Sequence, residues 1–158
     1  MRCPKDCLIS ELERLKNSEV AKVVGSRIRE FEALGKKPSR EIFKELCFCL
    51  LTANFNAERS IFIQKEIGDD FLNLPPATLS KRLEELGHRY PNARAKYIAE
   101  AREVKDVLKT ELEKQNNSFC AREWLVQNVK GLGYKESSHF LRNIGHKDVA
   151  IIDFHIVD

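Results

Sequence analysis

Val129-Lys130-Gly131-Leu132-Gly133-Tyr134-Lys135 joins two stretches of helical periodicity, and its reading decides the fold. Upstream, Ala121, Trp124, Leu125 and Val129 recur at the spacing of one helix face; downstream, Phe140, Leu141 and Ile144 do the same. Gly131 and Gly133 let the backbone turn tightly and let another molecule come close to it. Residues 121–145 therefore read as a helical hairpin. Its second helix opens with free amide groups and a positive dipole end, where a nucleic-acid phosphate docks whatever the base. The plainer alternative, a corner whose glycines only permit the turn, fits the local pattern equally well.

Lys135 falls in the first turn of the second helix, where the dipole opposes its charge. That placement, with burial, lowers its pKa and frees a neutral amine for attack on carbon. Asp153 follows Ala150-Ile151-Ile152, an apolar run read here as part of a buried connection from Val149 to Ile152 that holds the carboxylate in a partly dry site. Both residues have bland alternatives, a solvated surface lysine and an N-cap for a helix starting at Phe154.

Outward from the hairpin the chain is read as all-α. Leu8, Leu12 and Leu15 mark a short first helix, and Val20, Val23, Val24, Ile28 and Phe31 mark a second ending near Gly35. Ser39 is the expected N-cap of a third, whose apolar residues from Ile42 to Leu51 spread all round and predict the most buried helix. T-A-N-F-N breaks the pattern, Ala57 to Ile67 resumes it, and a short helix runs from Leu74-Pro75-Pro76 to Gly87. Tyr97, Ala101, Val104 and Leu108 then predict one long helix, with Arg94, Lys96, Arg102, Lys105 and Lys109 either a solvated face or a phosphate track.

The composition sets limits. With 42% apolar residues in 158, a proper core and at most two small subdomains are expected. The net charge of +3 permits nucleic acid as a partner without arguing for it. No apolar run is long enough to span a membrane, and M-R-C-P-K-D-C does not resemble a signal peptide, so a cytoplasmic, nucleoid-associated chain without membrane partners is expected. Cys3, Cys7, Cys47, Cys49 and Cys120 lack C-x-x-C spacing and suit reduced thiols, three of them in apolar surroundings, better than zinc or an iron–sulfur cluster.

V-K-G-L-G-Y-K-E-S-S-H-F-L-R-N-I-G followed by D-V-A-I-I-D-F-H-I closely resembles the type 2 8-oxoguanine DNA glycosylases, members of the helix-hairpin-helix glycosylase superfamily. F-K-E-L-C-F-C-L-L-T-A-N-F-N-A-E, I-Q-K-E-I-G and L-G-H-R-Y also look like that family, and the match runs in register from about Phe31 to Ile156. The resemblance implies a single helix-hairpin-helix glycosylase domain over residues 1–158, or two helical subdomains with the active site between them. It implies a monomeric bifunctional enzyme acting on double-stranded DNA containing oxidised guanine. Lys135 would attack C1′ as the base leaves, Asp153 would stabilise charge on the sugar, and β-elimination would nick the strand.

Further roles follow from the same resemblance. Lys130, Gly131, Gly133 and His155 would contact phosphates, and Asn54 would fill the gap left by the flipped nucleotide or act only as a helix C-cap. Arg89 and Tyr90 would line the base pocket, Tyr90 having a core position as its alternative. No organic cofactor is expected; a structural monovalent cation on the carbonyls of Val129 and Leu132 is.

Departures from the family lie near its DNA-facing regions. Arg59-Ser60 replaces two glycines, Phe62 an arginine and Phe154 a basic residue; Arg59 is left to compensate on the DNA or to reach the orphaned base. Family members continue beyond Ile156-Val157-Asp158, so the C-terminal helices, with part of the base pocket, are expected to be missing. Three rival readings remain: a non-catalytic DNA-binding module, an endonuclease III-like enzyme for oxidised pyrimidines, and a helical interaction domain unrelated to DNA.

Overall fold

The protein is described by a computed structural model covering residues 4–152. Among these residues the chain is helical throughout, without a strand: α1 (Pro4–Lys16), α2 (Glu19–Gly35), α3 (Ser39–Thr52), α4 (Ala57–Ile67), α5 (Pro76–Glu85), α6 (Pro91–Ala101), α7 (Leu108–Glu113), α8 (Ser118–Asn128) and α9 (Tyr134–Asn143). Short 3-10 turns at Gly68–Leu72 and Arg102–Val104 follow α4 and α6.

α3 is the axis of the molecule. Ile42, Phe43 and all six residues from Leu46 to Leu51 are buried, and α2, α4, α6, α7 and α9 pack around it. Each large apolar side chain so covered contributes about 1.5–3 kcal/mol. Ile63, Phe71, Leu79, Leu83, Ile98, Leu108, Leu125, Phe140 and Leu141 complete one continuous core. Burial pushes the thiols of Cys47 and Cys49 well up, as befits small hydrophobes, whereas Cys120 is exposed.

Three expectations need correction. Ser39 is the first residue of α3 rather than its cap; its Oγ instead accepts the amide of Lys109 at 3.2 Å and caps α7. The long helix from residue 91 breaks after Ala101, because Arg102 turns back to donate to Phe71 O at 2.8 Å and Leu74 O at 2.7 Å. A 3-10 turn keeps the same face inward, so the apolar period runs on across the break. Val149 to Ile152 is not a buried connection: Ala150 is exposed and Ile152 is 56% exposed.

The stripes of the first two helices are real but open. Leu8, Leu12 and Leu15 on α1 and Val20, Val23, Val24 and Ile28 on α2 are all exposed, and α2 buries no residue fully. α2 is nevertheless firmly seated, since a Cβ on Gly35 would stand 2.1 Å from Ile144 O at the end of α9. No helix among the described residues is long and apolar enough to cross a membrane.

Candidate active site at the helical hairpin

The 129–133 turn carries the geometry that its glycines predicted, with unequal roles. Gly131 has φ +92, and a Cβ there would lie 2.5 Å from Cδ2 of Tyr97; only glycine meets both demands. Gly133 is extended, with φ −90 and ψ −175, and serves as N-cap of α9 without a side-chain cap bond. Gly133 brings no side chain to cap the first amides of α9, and a helix start is a place that suits a phosphate. Val129 and Leu132 are buried in the turn, and Val129 O accepts the Leu132 amide at 3.2 Å. That leaves the Val129 carbonyl, at the C-terminal end of α8, with one lone pair still available.

Lys135 is the second residue of α9 and lies in the first turn, as expected, but it is exposed rather than buried. A cleft of about 180 Å³ gathers it with Arg122, Tyr134, Ser138, Ala150 and Ile152. The segment that leads to Asp153 therefore runs beside the lysine. Asp153, Phe154 and His155 lie outside the described residues. Lys130 is exposed and sits 3.6 Å from Glu100.

A second group of residues is tied to the hairpin through α6. Arg94, 7% exposed, donates to Ala53 O at 2.6 Å, and burial lowers its pKa. Its guanidinium lies 5.9 Å from the ring centres of both Tyr90 and Tyr97, and Tyr97 in turn supports Gly131. Asn54, next along from Ala53, is exposed at φ +55, which fits the C-cap reading and leaves its side chain outward. Tyr90 is not core: it is 37% exposed with Arg89 packed 5.1 Å from its ring centre.

His88 holds this corner and was missed in the sequence. Its Nδ1 accepts the Tyr90 amide at 3.0 Å, so Nε2 carries the proton and donates to Leu51 O, also at 3.0 Å. Burial lowers its pKa and keeps it neutral. Arg59 braces the same loop from outside, donating to Leu86 O at 2.8 Å while stacking 5.0 Å over Phe62. Ser60 is fully buried on Asn56 O, so it does not face DNA.

Most of the cations read as a solvated face or phosphate track are tied to main-chain carbonyls in this fold. Arg94 and Arg102 hold carbonyls as described, Lys105 donates to Leu72 O and Lys109 to Lys36 O, while exposed Lys96 lies 4.0 Å from Glu100.

The comparisons agree with this architecture. The 8-oxoguanine DNA glycosylase family model (Ogg-HhH) matches residues 24–158. The 8-oxoguanine DNA glycosylase/AP lyase of Methanocaldococcus jannaschii is 55% identical over 150 residues, covering 95% of this chain and 72% of that protein. That of Korarchaeum cryptofilum is 50% identical over 153 residues, covering 97% and 72%. Among solved structures, the Methanocaldococcus jannaschii 8-oxoguanine DNA glycosylase superposes with a TM-score of 0.92 at 54% identity, over 97% of this chain and 71% of that one. The same enzyme in complex with a 15mer DNA containing 8-oxoguanine gives 0.90 at 54% identity, over 96% and 72%. With its hairpin, its helical core and a match running through nearly the whole sequence, this chain belongs to the 8-oxoguanine DNA glycosylase family.

Proposed function

We propose that this protein excises 8-oxoguanine from DNA and then cleaves the strand at the resulting abasic site, as a bifunctional glycosylase and AP lyase. The observation that carries the reading is the placement of Lys135 in the first turn of α9, beside the segment that leads to Asp153. Relatives at half identity or more bear the names of both activities, and one is solved on DNA containing the lesion.

In the mechanism, the Lys135 amine attacks C1′ of the flipped nucleotide and the C1′–N9 bond breaks, its electron pair leaving with the base. The amine loses a proton and the sugar ring opens to a Schiff base. Removal of a C2′ proton then expels the 3′ phosphate by β-elimination. Asp153 stabilises positive charge on the sugar and moves protons around the lysine.

The hairpin grips the backbone through the amides after Gly133, with Gly131 allowing close approach and Lys130 and His155 adding charge. Asn54 fills the vacated stack, Arg89 and Tyr90 line the base pocket, and Arg59 meets the DNA nearby. The main-chain carbonyls of Val129 and Leu132 would hold a monovalent cation, which would supply positive charge beside a phosphate. The enzyme acts as a monomer on duplex DNA.

Borohydride trapping tests this on two duplexes, one with 8-oxoguanine opposite cytosine and one with an abasic site. Covalent adducts on both, abolished in Lys135→Gln, are expected. Duplex binding without an adduct on either would overturn the enzymatic reading.

A further inference from the structure

Arg122 lines the cleft of about 180 Å³ that also holds Lys135, and the mechanism above gives it no part. It sits on α8, the first helix of the hairpin, while Lys135 lies in the first turn of α9, so the turn at 129–133 brings both side chains to one cleft.

Two aromatic rings brace the guanidinium. Phe119, one turn earlier on α8, has its ring centre 5.3 Å from Cζ, and Tyr134, the neighbour of Lys135, has its ring centre 5.5 Å away. Tyr134 is itself held, its hydroxyl donating to Glu123 at 3.0 Å. A planar guanidinium packed on rings keeps its in-plane N–H donors available and loses little further freedom when it meets a ligand.

What Arg122 lacks is a hydrogen-bonding partner. Its Nε is buried without an acceptor, and among the described residues no carbonyl or carboxylate takes its other donors. Arg94 and Arg102 also leave one buried nitrogen unpaired, but each anchors the rest of its fork on main-chain carbonyls. Glu123, the adjacent carboxylate, takes the Tyr134 hydroxyl instead. A buried donor without a partner is costly, so an arginine with a purely structural task would be expected to hold an acceptor of this chain.

The surroundings select an anion as that acceptor. The start of α9, which has no side-chain cap, adds a positive dipole end beside the guanidinium on Tyr134. Lys135 has to reach C1′ of the flipped nucleotide, and the phosphodiesters attached to that sugar then come to the mouth of the same cleft. We infer that Arg122 binds a phosphodiester flanking the lesion nucleotide and so fixes the sugar in front of Lys135. The 5′ and 3′ linkages offer the same chemistry, a singly charged oxyanion that matches the arginine fork. The inference rests on the proposed function and adds a binding residue to it.

The test is a binding cycle on duplexes carrying a tetrahydrofuran abasic analogue, which cannot react, with either its 5′ or its 3′ phosphodiester replaced by a neutral methylphosphonate. The parent is expected to lose about tenfold or more in affinity on one of the two, the scale of one charge-assisted hydrogen bond. Arg122→Met should lose as much on the unmodified duplex and less than about threefold more when that same linkage is neutral. Arg122→Lys repeats the cycle with the charge retained, and should show a smaller loss on the same linkage. Borohydride trapping on a reactive abasic site at saturating protein measures whether each chain is folded and Lys135 works. A parent that traps but binds both neutral linkages as tightly as the unmodified duplex overturns the inference alone. So do losses in the Arg122 variants that simply add to those of each neutral linkage. A parent that forms no adduct overturns the functional reading and the inference with it.

Discussion

Gly131 lies so close against the ring of Tyr97 that a methyl group on its Cα would overlap Cδ2, and its φ of +92 is left-handed as well. Gly131→Ala therefore meets two penalties, about 1–2 kcal/mol for the backbone and about 1–3 kcal/mol for overpacking. Urea unfolding should show a loss of at least about 2 kcal/mol in total. In a Tyr97→Leu background the packing part should shrink and the backbone part remain, which a double-mutant cycle resolves.

His88 joins the end of α3 to the turn before α6 with two hydrogen bonds to main chain. Replacing it by alanine leaves the Leu51 carbonyl and the Tyr90 amide without their partner, at a cost of about 2–4 kcal/mol. Hydrogen exchange at the Tyr90 amide is the direct readout, and its protection should fall in His88→Ala beyond the loss of global stability.

Acid should weaken the fold partly through His139. Its folded pKa of about 4 lies below the ordinary 6.5, so the unfolded chain binds protons first as pH falls. Its contribution is intact above pH 6.5 and is lost between 6.5 and 4, on the order of 3 kcal/mol at the lower end. His88 and His146 act in the same direction; Glu45, raised above 4.5, acts in the opposite one. The difference between parent and His139→Gln isolates the effect. If their stabilities run parallel from pH 7 to 4, His139 is not the group responsible.

Arg102 and Lys130 offer a test that separates a structural cation from one proposed to bind phosphate. Arg102→Met should cost about 2 kcal/mol of stability, having lost two carbonyl partners, and leave the salt dependence of DNA binding unchanged. Lys130→Met should be nearly neutral for folding while reducing the slope of log K against log salt by about one. A reduced slope in the Arg102 variant would put that side chain on the DNA.

What could be read from the sequence was what depends on neighbours in the chain. The all-round burial of α3, the bounds of α4 and the hairpin all follow from local spacing and turn chemistry. Arg94, Arg102, Lys105 and Lys109 resembled a solvated face because their partners are backbone carbonyls, which no residue letter reveals. Val20, Val23 and Ile28 show the opposite limit: a period says which residues share a face, not whether that face is covered. The Glu45–Asn143 pair joins residues 98 apart, so it was beyond any local pattern. Lys135 stood out because of its place in the turn, and Asp153 and His155 lie outside the described residues.

The bond from Lys109 to Ser39 also bears on the order of assembly. α7 has only six residues, too few to nucleate a helix in water, and its first turn is completed by a hydroxyl 70 positions away. It becomes helical only when α3 is already present to receive it, so it belongs to the late, downhill side of the folding barrier. Loss of the hydroxyl in Ser39→Ala should accordingly quicken unfolding and leave the refolding rate almost untouched.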